Sequence, residues 1–145
     1  SYTPVDVNFI QKEMEKYPDY KVWLIAHYFD MNAESDAFRT LIKTEGRIKG
    51  LFAGHTHQNS VIRLGSELGG KVIAQTGNFS YTYYTAVPSE INMADVKNSF
   101  WGFRDLVITP EAAISNYIIV ETENATVNGA AISLKRRTVE MARFY

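Results

Sequence analysis

Leu51-Phe52-Ala53-Gly54-His55-Thr56-His57 joins a short apolar run directly to a pair of histidines. The apolar residues predict a strand that is buried on both faces, and Gly54 ends it. In extended backbone, side chains two positions apart point the same way. The two imidazoles are therefore expected to reach into one small volume.

The third histidine of the chain has the same setting, because His27 directly follows the apolar run at residues 22–26. Neutral imidazole is the commonest metal ligand among side chains, and the carboxyl ends of strands in open α/β sheets meet at one edge. Unrelated surface or buried histidines are the alternative interpretation, although all three follow predicted strands. We predict that His27, His55 and His57 are metal ligands.

Composition limits the kinds of function that need to be considered. The 145 residues suit one domain, 1–145, with no internal boundary, and a net charge of −1 gives no indication of nucleic-acid or membrane binding. The chain has no cysteine, so any metal must be held by nitrogen and oxygen. The sequence does not indicate a cellular compartment.

Hydrophobic periodicity predicts two helices and a series of strands. The first helix is expected over 5–16, with Thr3 as N-cap and Pro4 at its first position. The second is expected over 32–45, capped by Asn32 or Ser35. Predicted strands cover 22–26, 48–53, 61–64, 71–76, 105–108 and 116–121, with one or two more between 125 and 139 and a turn at Asn128-Gly129. This order predicts an α/β fold with a mixed sheet, in which 61–64 and 71–76 form a hairpin.

Residues 77–104 form a predicted loop that is both aromatic and polar, and long loops of this kind are often functional. Asn78, Tyr81 and Trp101 are candidates for lining a substrate site, where the rings would stack on an organic group. A loop that packs on itself is the other interpretation. Arg104 is either a phosphate ligand or an ordinary surface arginine.

The two histidine-containing stretches resemble signatures of a known family. Leu51-Phe52-Ala53-Gly54-His55-Thr56-His57 is similar to the Gly-His-x-His signature of calcineurin-like metallophosphoesterases. The strand that ends in His27 resembles the preceding signature, a hydrophobic strand followed by a single histidine. The resemblance covers residues 21–77 best, and extends loosely over the strands that follow.

The resemblance implies a layered α/β/β/α sandwich with mixed sheets. It also implies two divalent cations, such as Mn, Fe or Zn, about 3.5–4 Å apart, which activate a hydroxide that hydrolyses a phosphate mono- or diester. By the family pattern, His27 and His55 would bind one cation and His57 the other. Gly54 would let the backbone pass close to the cations.

The chain departs from the family because it lacks three earlier signatures: Asp-x-His, Gly-Asp and Gly-Asn-His. These would supply the bridging carboxylate, an amide ligand and the catalytic histidine. Possible substitutes after His27 are Asp30, Glu34 and Asp36, although capping or solvating the second helix is the expected role of these acids. We therefore expect a C-terminal half whose partner is the N-terminal half of the same protein, and which is inactive alone.

Two other kinds of function stay open at this level. One is a non-catalytic metal-binding or interaction module that has only this half of the fold. The other is a mononuclear three-histidine zinc hydrolase with one open coordination position.

Overall fold

Two helices and eight strands make up the part of the chain that the computed structural model describes, residues 1–56, 59–76, 102–123 and 133–145. The fold of these ranges is mixed α/β, as predicted, with the strands arranged in two sheets. No helix within these ranges is long and apolar enough to cross a membrane.

The first helix, α1 (Val7–Lys16), begins later than predicted. Its N-cap is Asp6, whose side chain accepts a hydrogen bond from the backbone N–H of Phe9 at 3.1 Å. The prediction that Thr3 and Pro4 start the helix was wrong. The cause is tertiary, because the backbone N–H of Val5 donates to the buried carboxylate of Glu34 at 3.1 Å and keeps the preceding residues out of the helix.

The second helix, α2 (Asp36–Thr44), is capped by Ser35, one of the two predicted candidates. The Ser35 hydroxyl accepts from the N–H of Phe38 at 3.2 Å. Asn32, the other candidate, lies in a turn in which its N–H donates to the side chain of Asp30 at 3.0 Å. The N-cap is therefore the later of the two candidates, three residues after Asn32.

The first sheet contains four strands in the order β1-β2-β4-β3. The strands β1 (Val22–Ile25), β2 (Ile48–Ala53) and β4 (Val72–Gln75) are parallel, and β3 (Ser60–Arg63) runs antiparallel to β4. The predicted hairpin of β3 and β4 is confirmed, and a 3₁₀ turn at Ser66–Leu68 lies in its connection. This sheet is mixed, as predicted.

The second sheet is antiparallel in all its described pairings. Its central strand, β7 (Ala113–Glu123), pairs with β5 (Gly102–Arg104), β6 (Val107–Ile108) and β8 (Ser133–Arg143). The predicted loop 77–104 was therefore too long, because residues 102–104 form a strand. The predicted turn at Asn128-Gly129 lies outside the described residues.

The main core lies between the helices and one face of the first sheet. Its fully buried side chains include Phe38 and Ile42 from α2 and Ile48 and Leu51 from β2. Leu51 and Ala53 are two positions apart on β2, so both face the helices, and Ile48 joins them in this core across a register shift in the pairing of β1 with β2.

The opposite face of the first sheet packs against the end of the chain. Val72 and Ala74 contact Ala142 of β8, and Phe52 and Phe144 pack against this cluster with ring centroids 5.3 Å apart. A Cβ atom on Gly50 would lie 2.2 Å from the ring of Phe144, so only glycine leaves room for that ring. The helices and the C-terminal residues thus cover opposite faces of one sheet.

Candidate functional site

His27 and His55 leave the first sheet at the same edge. Their strands, β1 and β2, are parallel neighbours, and backbone pairing continues past both strand ends. The N–H of Ala26 donates to Phe52 O at 3.1 Å, and the N–H of Gly54 donates to His27 O at 2.9 Å. These bonds set the two histidines side by side at the carboxyl edge of the sheet, as the sequence predicts.

The two imidazoles contact each other directly. Nε2 of His27 lies 3.0 Å from Nδ1 of His55, and the ring centroids are 5.0 Å apart with the planes at 80°. Both side chains are exposed to solvent. In this contact one ring nitrogen donates and the other accepts, and which of them donates depends on the tautomers of the two rings.

The backbone at His55 is not extended, although the sequence predicted extended geometry there. His55 has a φ of 69°, in the left-handed region, and the N–H of Thr56 donates to Gly54 O at 2.8 Å. Histidine is among the non-glycine residues enriched in this region. The strained residue is therefore His55 and not Gly54, where a Cβ atom would meet only the carbonyl oxygen of His27 at 3.8 Å.

Because the backbone at His55 is not extended, the i, i+2 spacing of residues 55 and 57 does not by itself place their side chains on one side. His57 lies outside the described residues, and its role as a ligand stays a prediction. Among the described residues, the two histidines that come together are His27 and His55, which follow two different strands.

The two facing nitrogens fit the spacing of ligands on one cation. Imidazole nitrogens bound to one ion at about 2.0–2.1 Å lie about 3 Å apart when the bonds meet at a right angle, and about 3.3 Å apart in a tetrahedral site. The observed separation of 3.0 Å is near these values. Among the described residues, no group of three or more histidine, cysteine or carboxylate side chains is placed to hold a metal, so this pair alone is an incomplete site.

Tyr28 adjoins the histidine pair and connects it through Tyr2 to Glu34, an arrangement that the sequence did not predict. The Tyr28 ring lies 4.7 Å from the His55 ring, and the Tyr2 ring meets Tyr28 edge-on at 6.0 Å. The Tyr2 hydroxyl donates to Glu34. The only sequence signal was the position of Tyr28 directly after His27.

Glu34 was expected to cap or solvate α2, but it does neither and binds the N-terminal segment instead. Its side chain is only 7% exposed, and its two oxygens accept from Tyr2 Oη and from the N–H of Val5. Burial, and the hydrogen bond to Glu34, raise the pKa of Tyr2 to about 12. Tyr2 is therefore a protonated donor at neutral pH, and Glu34 attaches the N-terminal segment beside the site.

An apolar cleft opens near the same edge, between the first sheet and β5. It has a volume of about 510 Å³ and is lined mainly by Ile25, Phe52, Phe103 and Leu106. Ile25 is 79% exposed although it lies at the end of a sheet strand. The predicted substrate-side residues Asn78, Tyr81 and Trp101 lie outside the described residues, so their placement stays a prediction.

Arg104, the remaining predicted substrate residue, connects the two sheets. From β5, its Nε donates to Gln75 O at 3.1 Å, and one terminal nitrogen donates to Asn59 Oδ1 at 2.6 Å and to Ser60 O at 3.3 Å. Its guanidinium also lies 5.5 Å from the centre of the Tyr117 ring. Arg104 is therefore a structural residue that joins the two sheets, and not an ordinary surface arginine. Its binding of phosphate stays a prediction.

Arg104→Met is expected to lower the free energy of unfolding by about 2 kcal/mol, because it removes charge-assisted hydrogen bonds between the sheets. Urea denaturation measures the change. Arg63→Met is the matched control, since Arg63 is exposed on β3 and should alter stability by less than about 0.5 kcal/mol. Unchanged stability in Arg104→Met, together with loss of phosphate binding, would instead assign Arg104 to the substrate.

Comparison of the chain with protein-family models, with curated proteins and with solved structures found no match.

Proposed function

We propose that this chain is the C-terminal part of a calcineurin-like metallophosphoesterase, which hydrolyses phosphate mono- or diesters with two divalent cations. The observation that carries the proposal is the 3.0 Å approach of His27 Nε2 to His55 Nδ1 at the carboxyl edge of neighbouring parallel strands. The short His-x-His sequence and the strand-end position of His27 support the same reading.

The layered architecture supports the proposal as well. Helices cover one face of the first sheet, and the second sheet contributes its C-terminal residues to the other face. A complete α/β/β/α sandwich, with further strands and helices from an N-terminal half, is part of the proposal. β1 is an edge of the first sheet within the described residues, where such strands would pair.

In the proposed site His27 and His55 hold one cation and His57 the other. When bound, the cations supply positive charge to the phosphate oxygens and a nucleophilic hydroxide at neutral pH. The histidines must be neutral at the coordinating nitrogens, so their affinity for metal falls at acidic pH. The chain's own contribution is to hold two imidazoles side by side, with one nitrogen of each 3.0 Å apart.

The carboxylate side of the site is proposed to come from the N-terminal half, which is the proposed partner of this chain. The cleft beside Ile25 and Phe103 would take the apolar part of a phosphate-ester substrate. Its lining is mostly hydrocarbon, so contacts there would favour esters of apolar alcohols over inorganic phosphate.

Residues 1–145 alone, supplied with Mn²⁺ or Zn²⁺, are expected to show no hydrolysis of a nitrophenyl phosphate mono- or diester above the buffer background. The reason is that one side of the two-cation site is missing. Adding an N-terminal half that carries the three absent signatures should restore turnover, and the same mixture made with His27→Ala should stay inactive.

Hydrolysis by residues 1–145 alone, with kcat of about 1 s⁻¹ or more, would contradict this expectation. One bound zinc per active chain would then indicate the mononuclear three-histidine hydrolase. A chain that binds no metal even with the N-terminal half present would favour the interaction module.

A further inference from the structure

The His55 ring keeps a single orientation only if neighbouring side chains hold it. It is exposed, and it lies on a tight turn with a φ of 69°. Exposed side chains exchange rotamers on the picosecond to nanosecond scale unless packing holds them. A metal site requires the opposite, because ligands that are already oriented lose less entropy when they bind.

Tyr28 supplies such a constraint on one side of the ring. Its ring lies 4.7 Å from the His55 ring with the planes at 39°, while His27 occupies another side with the planes at 80°. The His55 ring therefore lies against one neighbour at a shallow angle and meets the other edge-on. In this position its Nδ1 points at His27 Nε2.

Tyr28 is in turn held by the N-terminal segment. The Tyr2 ring meets it edge-on at 88°, and the Tyr2 hydroxyl donates to Glu34. Burying a carboxylate is unfavourable unless its oxygens accept hydrogen bonds, and both oxygens of Glu34 accept from residues of this one segment. Glu34 thus fixes residues 2 and 5 at the edge of the sheet.

We propose that Glu34, Tyr2 and Tyr28 act as positioning residues, which together fix the His55 imidazole with Nδ1 directed at His27. The buried end of this chain of contacts is Glu34, and its exposed end is His55, the proposed ligand. Tyr2 and His55 are distant in the chain, since α1, β1, α2 and β2 lie between them. The sequence alone therefore gives no indication that they are connected. The consequence for metal affinity rests on the proposed function, whereas the orientation of the ring does not.

The test compares wild type with Tyr28→Ala in metal-free protein. Long-range proton–nitrogen correlation spectra of the histidine rings report which nitrogen of His55 carries the proton. Wild type is expected to show one fixed tautomer, and Tyr28→Ala is expected to show averaged ring signals. Tyr2→Phe keeps the aromatic contact but loses the bond to Glu34, so a smaller shift toward averaging is expected.

Tyr20→Ala is the matched control, because Tyr20 is 64% exposed and contacts Tyr17 instead. It should leave the His55 signals unchanged. Identical His55 spectra in wild type and Tyr28→Ala would overturn the inference. If Tyr28→Ala does not fold, Tyr28→Leu replaces it and the same comparison decides.

Zinc titration of the same proteins tests the consequence. If the wild-type chain binds zinc, Tyr28→Ala should weaken binding by about tenfold or more, as loss of other ligand-orienting partners does. Equal zinc affinity in the two proteins would overturn the link to metal binding. A wild-type chain that binds no zinc even with the N-terminal half present would count against the proposed function, while the metal-free spectra would still decide whether Tyr28 orients His55.

Discussion

His55→Asn is expected to lower the affinity of the chain for Zn²⁺ or Mn²⁺ by more than 100-fold while the protein stays folded. The loss should exceed the roughly 10–100-fold cost of removing an orienting partner, because a ligand itself is removed. Asparagine is chosen because it tolerates the left-handed conformation that His55 adopts at a φ of 69°. Isothermal titration calorimetry measures the affinity.

The comparison with His27→Ala makes this prediction sharper. Since both nitrogens are proposed to bind one cation, the double variant should be little worse than either single variant, and the effects should not add. Urea denaturation of each protein serves as the control for folding. Wild-type affinity in a folded His55→Asn protein would exclude His55 as a ligand.

Phe38→Ala is expected to lower the free energy of unfolding by about 3–5 kcal/mol, the usual cost of truncating a buried phenylalanine. The Phe38 side chain is 0% exposed and stacks on Phe29 with ring centroids 6.0 Å apart and planes 6° apart. The cavity would open directly beneath the loop that follows His27. Urea denaturation, monitored by far-UV circular dichroism, measures the loss.

Phe9→Ala makes the same chemical change on the exposed side of α1, where Phe9 is 62% exposed. It should change stability by less than about 0.5 kcal/mol. If Phe38→Ala is unfolded in water, Phe38→Leu provides a smaller, measurable loss. Equal stability of the Phe38 and Phe9 variants would mean that the core does not lie between the helices and the first sheet.

Local patterns were sufficient for most of the first sheet. The apolar runs before His27 and His55 predicted β1 and β2, and glycines in the connection predicted the hairpin of β3 and β4. These elements follow from residues close in the chain, since buried parallel strands need continuous apolar runs. The prediction failed at β5, whose Gly102–Arg104 segment is short and obtains its backbone hydrogen bonds from β7.

The starts of the two helices also differ in this respect, because one is set by a local contact and the other by a distant one. The Ser35 hydroxyl caps α2 through an N–H three residues away, so the sequence contains that signal. The start of α1 depends on Glu34, which is 29 residues from Val5 in the chain. No periodicity of residues 1–16 encodes that contact, and Thr3 with Pro4 consequently gave the wrong start.

The candidate site likewise combines features set by local sequence with contacts between residues distant in the chain. The sequence by itself determined that His27 and His55 follow two apolar strands, because strand ends and their neighbours are local features. Only the tertiary structure decided that the strands are parallel neighbours, that the two nitrogens lie 3.0 Å apart, and that His55 is left-handed and flanked by Tyr28. The physical reason is that strand pairing and side-chain packing depend on residues distant in the chain, whose free energies become available only when the elements meet.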